Sequence, residues 1–236
     1  MNQHPKRKSI LMADMIALVP MRHHSQRVPG KNFRPLAGKP LFHHILATLL
    51  EVSEIQEIIV DTDSPIIKEG LTSYFPSVTI LDRPQHLSGD AISMNEIISH
   101  DINQRDAEFF LQTHSTNPFL KAGTIRSAIE SFLKSLPEFD SLFSVTRLYT
   151  RLYTEEGIAI NHDPSELLQT QDLPPVYEEN SCLYIFSKSD FLGQHHRIGK
   201  KPFLYEIDPE EAWDIDTELD FQIAECLMEH KKEEER

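Results

Sequence analysis

Read for polarity alone, the chain alternates short apolar runs with segments whose apolar residues recur at helical spacing. Met15–Val19 is an unbroken apolar run and predicts a buried strand. In Pro40–Val52, Leu41, Ile45 and Leu49 form one stripe beside Phe42 and Leu46, which predicts a helix. Ile55–Val60 predicts a second strand, ending in Asp61-Thr62-Asp63. Ser64-Pro65 reads as a helix start, because serine caps the first amides and proline has none to lose there. Asp61 and Asp63 are expected to add to that cap. Val78–Leu81 is a third strand, and Ser93 with Glu96 makes a capping box that opens another helix. Glu108–Gln112 predicts a strand, Lys121–Leu136 a helix with Ile125, Ile129 and Phe132/Leu133 inward, and Ser141–Val145 a fifth strand. Cys182–Phe186 and Phe203–Ile207 are later strands, and Thr217–Glu229 is a closing helix with the capping pattern Thr217…Asp220. Such alternation predicts an α/β architecture of three layers, a mainly parallel sheet with helices on both faces. Ligands of such sheets sit at the carboxyl ends of the strands.

One region breaks the rhythm. Thr146–Glu179 is polar and proline-containing, with a short strand expected only at Gly157–Ile160. A long irregular stretch in a compact domain is usually a lid, a binding loop or an oligomer arm. The expected organisation is therefore a leader over 1–14, a domain over 15–230 with 146–179 inserted as an arm or lid, and a solvated tail over 231–236. The leader reads as mobile, although a scar of expression or a misplaced start would read alike. It lacks the long apolar segment of a secretory signal, and no run in the chain is long enough for a membrane span. Two cysteines, Cys182 and Cys226, are too few for a disulfide framework, so the cytosol is the expected compartment.

Charge changes the picture at one place. The chain carries a net charge of -14, which argues against nucleic-acid binding. Yet from Met15 to Leu50 there are five cations (Arg22, Arg27, Lys31, Arg34, Lys39) and no Asp or Glu. A local basic island suggests a small anion held at one spot, and a solvated basic loop would read the same way. The island lies between the first strand and the first helix, the arrangement of a phosphate cradle. It is neither a Walker loop nor a G-x-G-x-x-G fingerprint. At the other end, Asp214 and Asp216 are two apart, so on extended backbone both carboxylates face one side and suit Mg²⁺. The plainer reading is that they add negative charge at a helix N-terminus. His23, His24 and His114 lie in candidate site loops; the twelve histidines form no zinc-binding spacing.

The loop Arg22-His23-His24-Ser25-Gln26-Arg27-Val28-Pro29-Gly30-Lys31-Asn32 resembles the nucleotide signature of the cytidylyltransferases that activate 2-keto sugar acids. In that family the acylneuraminate type runs R-x-G-S-K-G…K-N, and the 3-deoxy-manno-octulosonate type R-x-x-S-x-R-L-P-G-K-P. "LAGKPL" (Leu36–Leu41), "RPQHLSGD" (Arg83–Asp90), "LQTHSTNPFL" (Leu111–Leu120), "DLPPVYEENSCLYIF" (Asp172–Phe186) and "WDIDTELDFQIAE" (Trp213–Glu225) continue the resemblance in order.

The resemblance implies a Rossmann-like nucleotidyltransferase fold, a homodimer joined through the inserted arm, and transfer of CMP from CTP to an acidic 2-keto sugar with Mg²⁺. It implies triphosphate contacts from Arg22, Ser25, Arg27 and Lys31, with Lys31, Arg22 and Asp216 closest to the chemistry. Asn32 and Arg83 would hold ribose and base, Asp214 and Asp216 the metal, and Gln112, Tyr177 and Asn180 the sugar. An octulosonate or a phosphonate acceptor is an alternative, as is a non-catalytic nucleotide-binding regulator. Departures fall at His23-His24 and at Ser181, where the family has glycine. A third falls at Leu168–Gln171, where sialate-type members carry an arginine that could pair the sugar carboxylate; Arg147 or Arg151 is expected to substitute.

Overall fold

In the computed structural model, which describes residues 14–89 and 91–234, the first strand begins where the first apolar run begins. The leader up to residue 13, Asp90 and tail residues 235–236 lie outside the described residues. The elements are β1 (Met15–Leu18), β2 (Pro35–Leu36), β3 (Lys39–Pro40), α1 (Leu41–Leu50), β4 (Ile55–Thr62), α2 (Pro65–Tyr74) and β5 (Thr79–Asp82). They continue as α3 (Met94–Asn103), β6 (Phe109–Gln112), α4 (Ala122–Ser135), β7 (Ser141–Leu148), β8 (Val176–Ser187), α5 (Lys188–Gln194), β9 (Pro202–Glu206) and α6 (Glu218–Glu234). The local start signals work as their chemistry requires. Ser64 Oγ accepts from the Ile67 amide, Ser93 and Glu96 close a reciprocal capping box, and Thr217 and Asp220 bond each other's backbone amides.

Seven strands form one sheet in the order β5–β4–β1–β6–β8–β7–β9. The pairs β5/β4, β4/β1, β1/β6 and β7/β9 are parallel, while β8 runs antiparallel to both β6 and β7. Side chains alternate across β1. Met15 and Ala17 pack with Phe42, Ile45 and Leu49 of α1, Ile67 of α2 and Ile125 and Phe132 of α4. Ile16 and Leu18 pack on the other face with Ile98 of α3 and Phe191 of α5. Burying each such side chain contributes about 2 kcal/mol before chain entropy is counted. A third cluster joins Val28, Leu36 and Leu41 to Ile215 and Phe221, and it seats α6 against the loop after β1. That cluster sets the distance between the basic island and the Asp214–Asp216 segment.

Two expectations are corrected. The irregular insertion is shorter than 146–179, because Thr146–Leu148 and Val176–Glu179 pair as a ladder continuing β7 and β8. Alternating polar residues hid these strand ends, whose partners lie about thirty residues apart. No strand forms at Gly157–Ile160; a single bridge joins Tyr153 to Ala159. Among the described residues no helix is long and apolar enough to cross a membrane.

Candidate active site

The loop after β1 is built around one glycine. Gly30 has φ 67°, and a Cβ there would lie 2.8 Å from the Phe33 ring, so only glycine fits without displacement. The turn aims Lys31 inward and buries Asn32, whose Nδ2 donates to the Arg22 carbonyl (2.8 Å) and whose Oδ1 accepts from Ser115 Oγ (2.7 Å). Asn32 thus ties the loop to the end of β6. The His23 amide donates to Asp63 Oδ1 (2.7 Å), its Nδ1 lies 2.8 Å from Ser64 Oγ, and its ring stacks on Phe33. Neither His23 nor His24 takes a positive φ, so replacing the family's glycine here costs no backbone strain.

Lys31 reaches across the cleft. Its side chain is 13% exposed, and Nζ donates to the Ile215 carbonyl (2.6 Å) and to Asp216 Oδ1 (3.3 Å). Arg27 donates to the same carboxylate oxygen at 2.8 Å; that pair is half-exposed and holds geometry more than it adds stability. Asp214, two residues back, is largely buried. Among the described residues its Oδ1 has no hydrogen-bond partner, and burial first, then Asp216, raises its carboxyl pKa. An orphaned carboxylate oxygen beside a second carboxylate is a donor set that a hard divalent cation fits.

These side chains line one cleft of about 430 Å³, with Arg22, Ser25, Arg27, Lys31, Asn32, Asp214 and Asp216 in its wall. It opens at the carboxyl ends of β1, β5 and β6. His114 is depressed to about 3 by burial first and then by the charges of Arg197 and Lys31, so its imidazole is neutral.

Arg83 also borders this cleft, but its guanidinium is committed. Nε donates to Asp61 Oδ1 and Nη2 to the Asp61 carbonyl, with both side chains almost fully buried. Asp61 therefore does not cap α2, as its spacing suggested; it holds Arg83. Behind it lies Asp101, buried, with His100 Nδ1 at 3.3 Å from its Oδ1. Ligand atoms of Asp61, His100 and Asp101 lie within 4.8 Å of one another, a second acidic group where a cation would compete with Arg83. Burial, then Asp61, pushes the Asp101 carboxyl up to about 9, so it is protonated and hydrogen-bonds Asp61. A pKa raised on folding gives stability that is complete below the unfolded value near 4 and is lost as pH rises through the folded one. Asp101→Asn supplies an N–H without needing a proton. Its stability advantage over wild type is expected to grow from pH 5 to pH 8 by about 1.4 kcal/mol per unit. Urea midpoints across that range check this, and a constant difference would contradict it.

The residues expected around the sugar are placed differently from one another. Gln112 is fully buried behind the wall, with Oε1 accepting from Arg197 Nη1 (2.5 Å) and Nε2 bonded to the Thr113 carbonyl and His114 Nε2 (both 3.0 Å). An arginine only donates, so the amide orientation is fixed, His114 Nε2 accepts, and its proton sits on Nδ1. Asn180 borders an adjoining cleft, its amide occupied by Ser144, Thr146 and the Cys182 amide. Tyr177 is exposed at the arm's base and lines neither cleft. Ser181 has φ 60°, which explains the family's glycine there, and its side chain borders both clefts. Arg147 lies over Tyr149 and Arg151 donates to the Leu168 carbonyl, so neither reaches the cleft; Arg197, with no local signal in "HHRIGKK", does.

A cationic loop after the first strand, facing two carboxylates across a cleft at the carboxyl ends of a mainly parallel sheet, defines a nucleotidyltransferase. The chain belongs to the cytidylyltransferase family, whose sequence model it matches over residues 16–235. It is 31% identical over 233 residues to the CMP-N,N'-diacetyllegionaminic acid synthase of Legionella pneumophila, covering 93% of this chain and 98% of that protein. It is 27% identical over 223 residues to the N-acylneuraminate cytidylyltransferase of Escherichia coli, covering 92% of this chain but 52% of that longer protein. The solved structure of a CMP:2-keto-3-deoxy-manno-octonic acid synthetase complexed with CTP shares the fold. Its TM-score is 0.67 at 14% identity, over 93% of this chain and 100% of that one.

Proposed function

We propose that the protein is a cytosolic cytidylyltransferase that transfers CMP from CTP to the anomeric hydroxyl of an acidic 2-keto sugar of the nonulosonic, sialic-acid-like type. The observation that carries this is Lys31, nearly buried and held between the Ile215 carbonyl and Asp216, which sets a fixed cation beside two carboxylates. The anomeric hydroxyl gives up its proton to solvent and its oxygen bonds to the α-phosphorus in line as the bond from that phosphorus to the bridging oxygen breaks, and pyrophosphate leaves with the electron pair. Such transfers depend on position and charge neutralisation rather than on a covalent intermediate. Arg22, Ser25, Arg27 and Lys31 bind the triphosphate, and Lys31 and Arg22 stabilise charge developing in the transition state. Asn32 and Arg83 border the nucleoside end, each locked by its partners. Asp214 and Asp216 would hold Mg²⁺, which when bound neutralises phosphate charge and acidifies the attacking hydroxyl. Gln112 and Asn180 shape the acceptor end from behind, and Tyr177 belongs to the arm.

The domain spans 15–230, and the arm between β7 and β8 joins two copies. It exposes Tyr149, Tyr153, Ile158, Ile160 and Leu167, the last 92% accessible, which suits coverage by a partner. Light scattering should give a dimer at micromolar concentration; a monomer would remove this part of the proposal.

The test of activity is pyrophosphate release with CTP and Mg²⁺ across neuraminate, legionaminate, octulosonate and phosphonate acceptors. Release is expected with a nonulosonic acid and not without acceptor. Release with octulosonate or phosphonate alone would reassign the acceptor. Tight CTP binding with no release for any acceptor would favour a non-catalytic nucleotide-binding regulator.

A further inference from the structure

We propose that Arg197 binds the carboxylate of the acceptor and thereby determines its acid specificity, an assignment that rests on the acid-sugar reading above. Arg197 follows α5, where its amide donates to Asn95 Oδ1 (3.2 Å) and fixes the segment against the start of α3. Its guanidinium carbon lies 3.5 Å from the centroid of the Tyr184 ring, and Nη1 donates to Gln112 Oε1 at 2.5 Å. Both partners are neutral. Among the described residues the nearest carboxylate is Glu179, 3.9 Å from Nη2, and that same oxygen accepts from the Tyr184 hydroxyl. A guanidinium 16% exposed is thus oriented on two sides and, among the described residues, has no close counter-ion, while bordering the cleft. Burial lowers its pKa, the mark of a desolvated charge. A buried cation becomes favourable when an anion pairs with it, and the planar fork of arginine matches a carboxylate in two hydrogen bonds.

The surroundings select the ligand further. Leu87, Ile92, Met94 and Ile97 share the cleft wall with Arg197, supplying apolar contact and a low dielectric that strengthens an ion pair. His114 feels the charges of Arg197, Lys31 and Asp216 together, so both ends of the cleft belong to one interior. In a 2-keto sugar acid the carboxylate is attached to the anomeric carbon itself. Fixing it places the attacking hydroxyl two bonds away, and Arg197 therefore positions the nucleophile as well as choosing it. Neither Arg147 nor Arg151 is placed to do so.

The experiment uses the full-length protein, the acid acceptor the wild type turns over, and the neutral amide of that acid. Arg197→Gln is expected to raise the acceptor KM about 100-fold or more. Its CTP affinity, titrated without acceptor, should stay within about twofold, because the nucleotide cations are elsewhere. The wild type's preference for acid over amide should collapse in this variant. Arg197→Lys keeps the charge without the fork; it should raise KM less and retain the preference, which covers the case in which Arg197→Gln does not fold. An acceptor KM within threefold of wild type, an unchanged acid-to-amide ratio, or a loss confined to CTP affinity would each overturn the assignment. Wild-type failure with every acid acceptor would instead sink the acceptor reading, and this assignment with it.

Discussion

Lys31→Ala is expected to lower kcat by about 10²- to 10³-fold, the usual loss when one preorganised group facing developing charge is removed. The ammonium is nearly buried and held by the Ile215 carbonyl and Asp216, so it meets a phosphate without first being desolvated or immobilised. Truncation leaves that carbonyl and that carboxylate short of a partner, which costs about 1–3 kcal/mol of stability. Unfolding should stay cooperative, since the third hydrophobic cluster seats α6 without the lysine. Steady-state kinetics beside a thermal melt separates the two effects, and near-normal turnover would end the assignment of Lys31.

The carboxylate pair gives an effect of similar size with a different signature. Asp216→Ala is expected to abolish metal-dependent turnover, a loss of several kcal/mol of charge stabilisation. The same change frees Arg27 and Lys31 from their shared carboxylate, so CTP binding in the presence of a chelator should be unchanged or tighter. Asp214→Asn removes a buried charge whose protonation folding already favours. It should match or exceed wild-type stability at neutral pH while losing activity. Measuring CTP affinity with and without Mg²⁺ decides the matter: a mutant weakened equally in both conditions would show a structural role rather than a metal-binding one.

What could be read from the sequence was local. Ser64, the Ser93–Glu96 box and the Thr217–Asp220 pair mark helix starts because each cap is completed within a few residues. The buried parallel strands show as apolar runs because both of their faces are covered. Asp61 looks like a cap in sequence because its partners, Arg83 and Asp101, come from other elements, and only the fold brings them together. Arg197 is silent in the sequence for the same reason. Nothing within "HHRIGKK" separates a cation over a buried tyrosine from the lysines beside it, and Gln112 looks like a ligand residue until Arg197 is seen to occupy its amide.

The ladder at the base of the arm has a mechanical consequence. From Val145/Glu179 to Leu148/Val176 the two strands stay in register, and no glycine interrupts either one. Such a pair bends as one unit, and it joins the sheet at the break in register between Phe143 and Val145, opposite Asn180–Leu183, where Ser181 has φ 60°. One end of the ladder carries the exposed apolar residues of the arm; the other runs into Asn180 and Ser181, which wall the clefts. Force applied at the tip is delivered at the pocket.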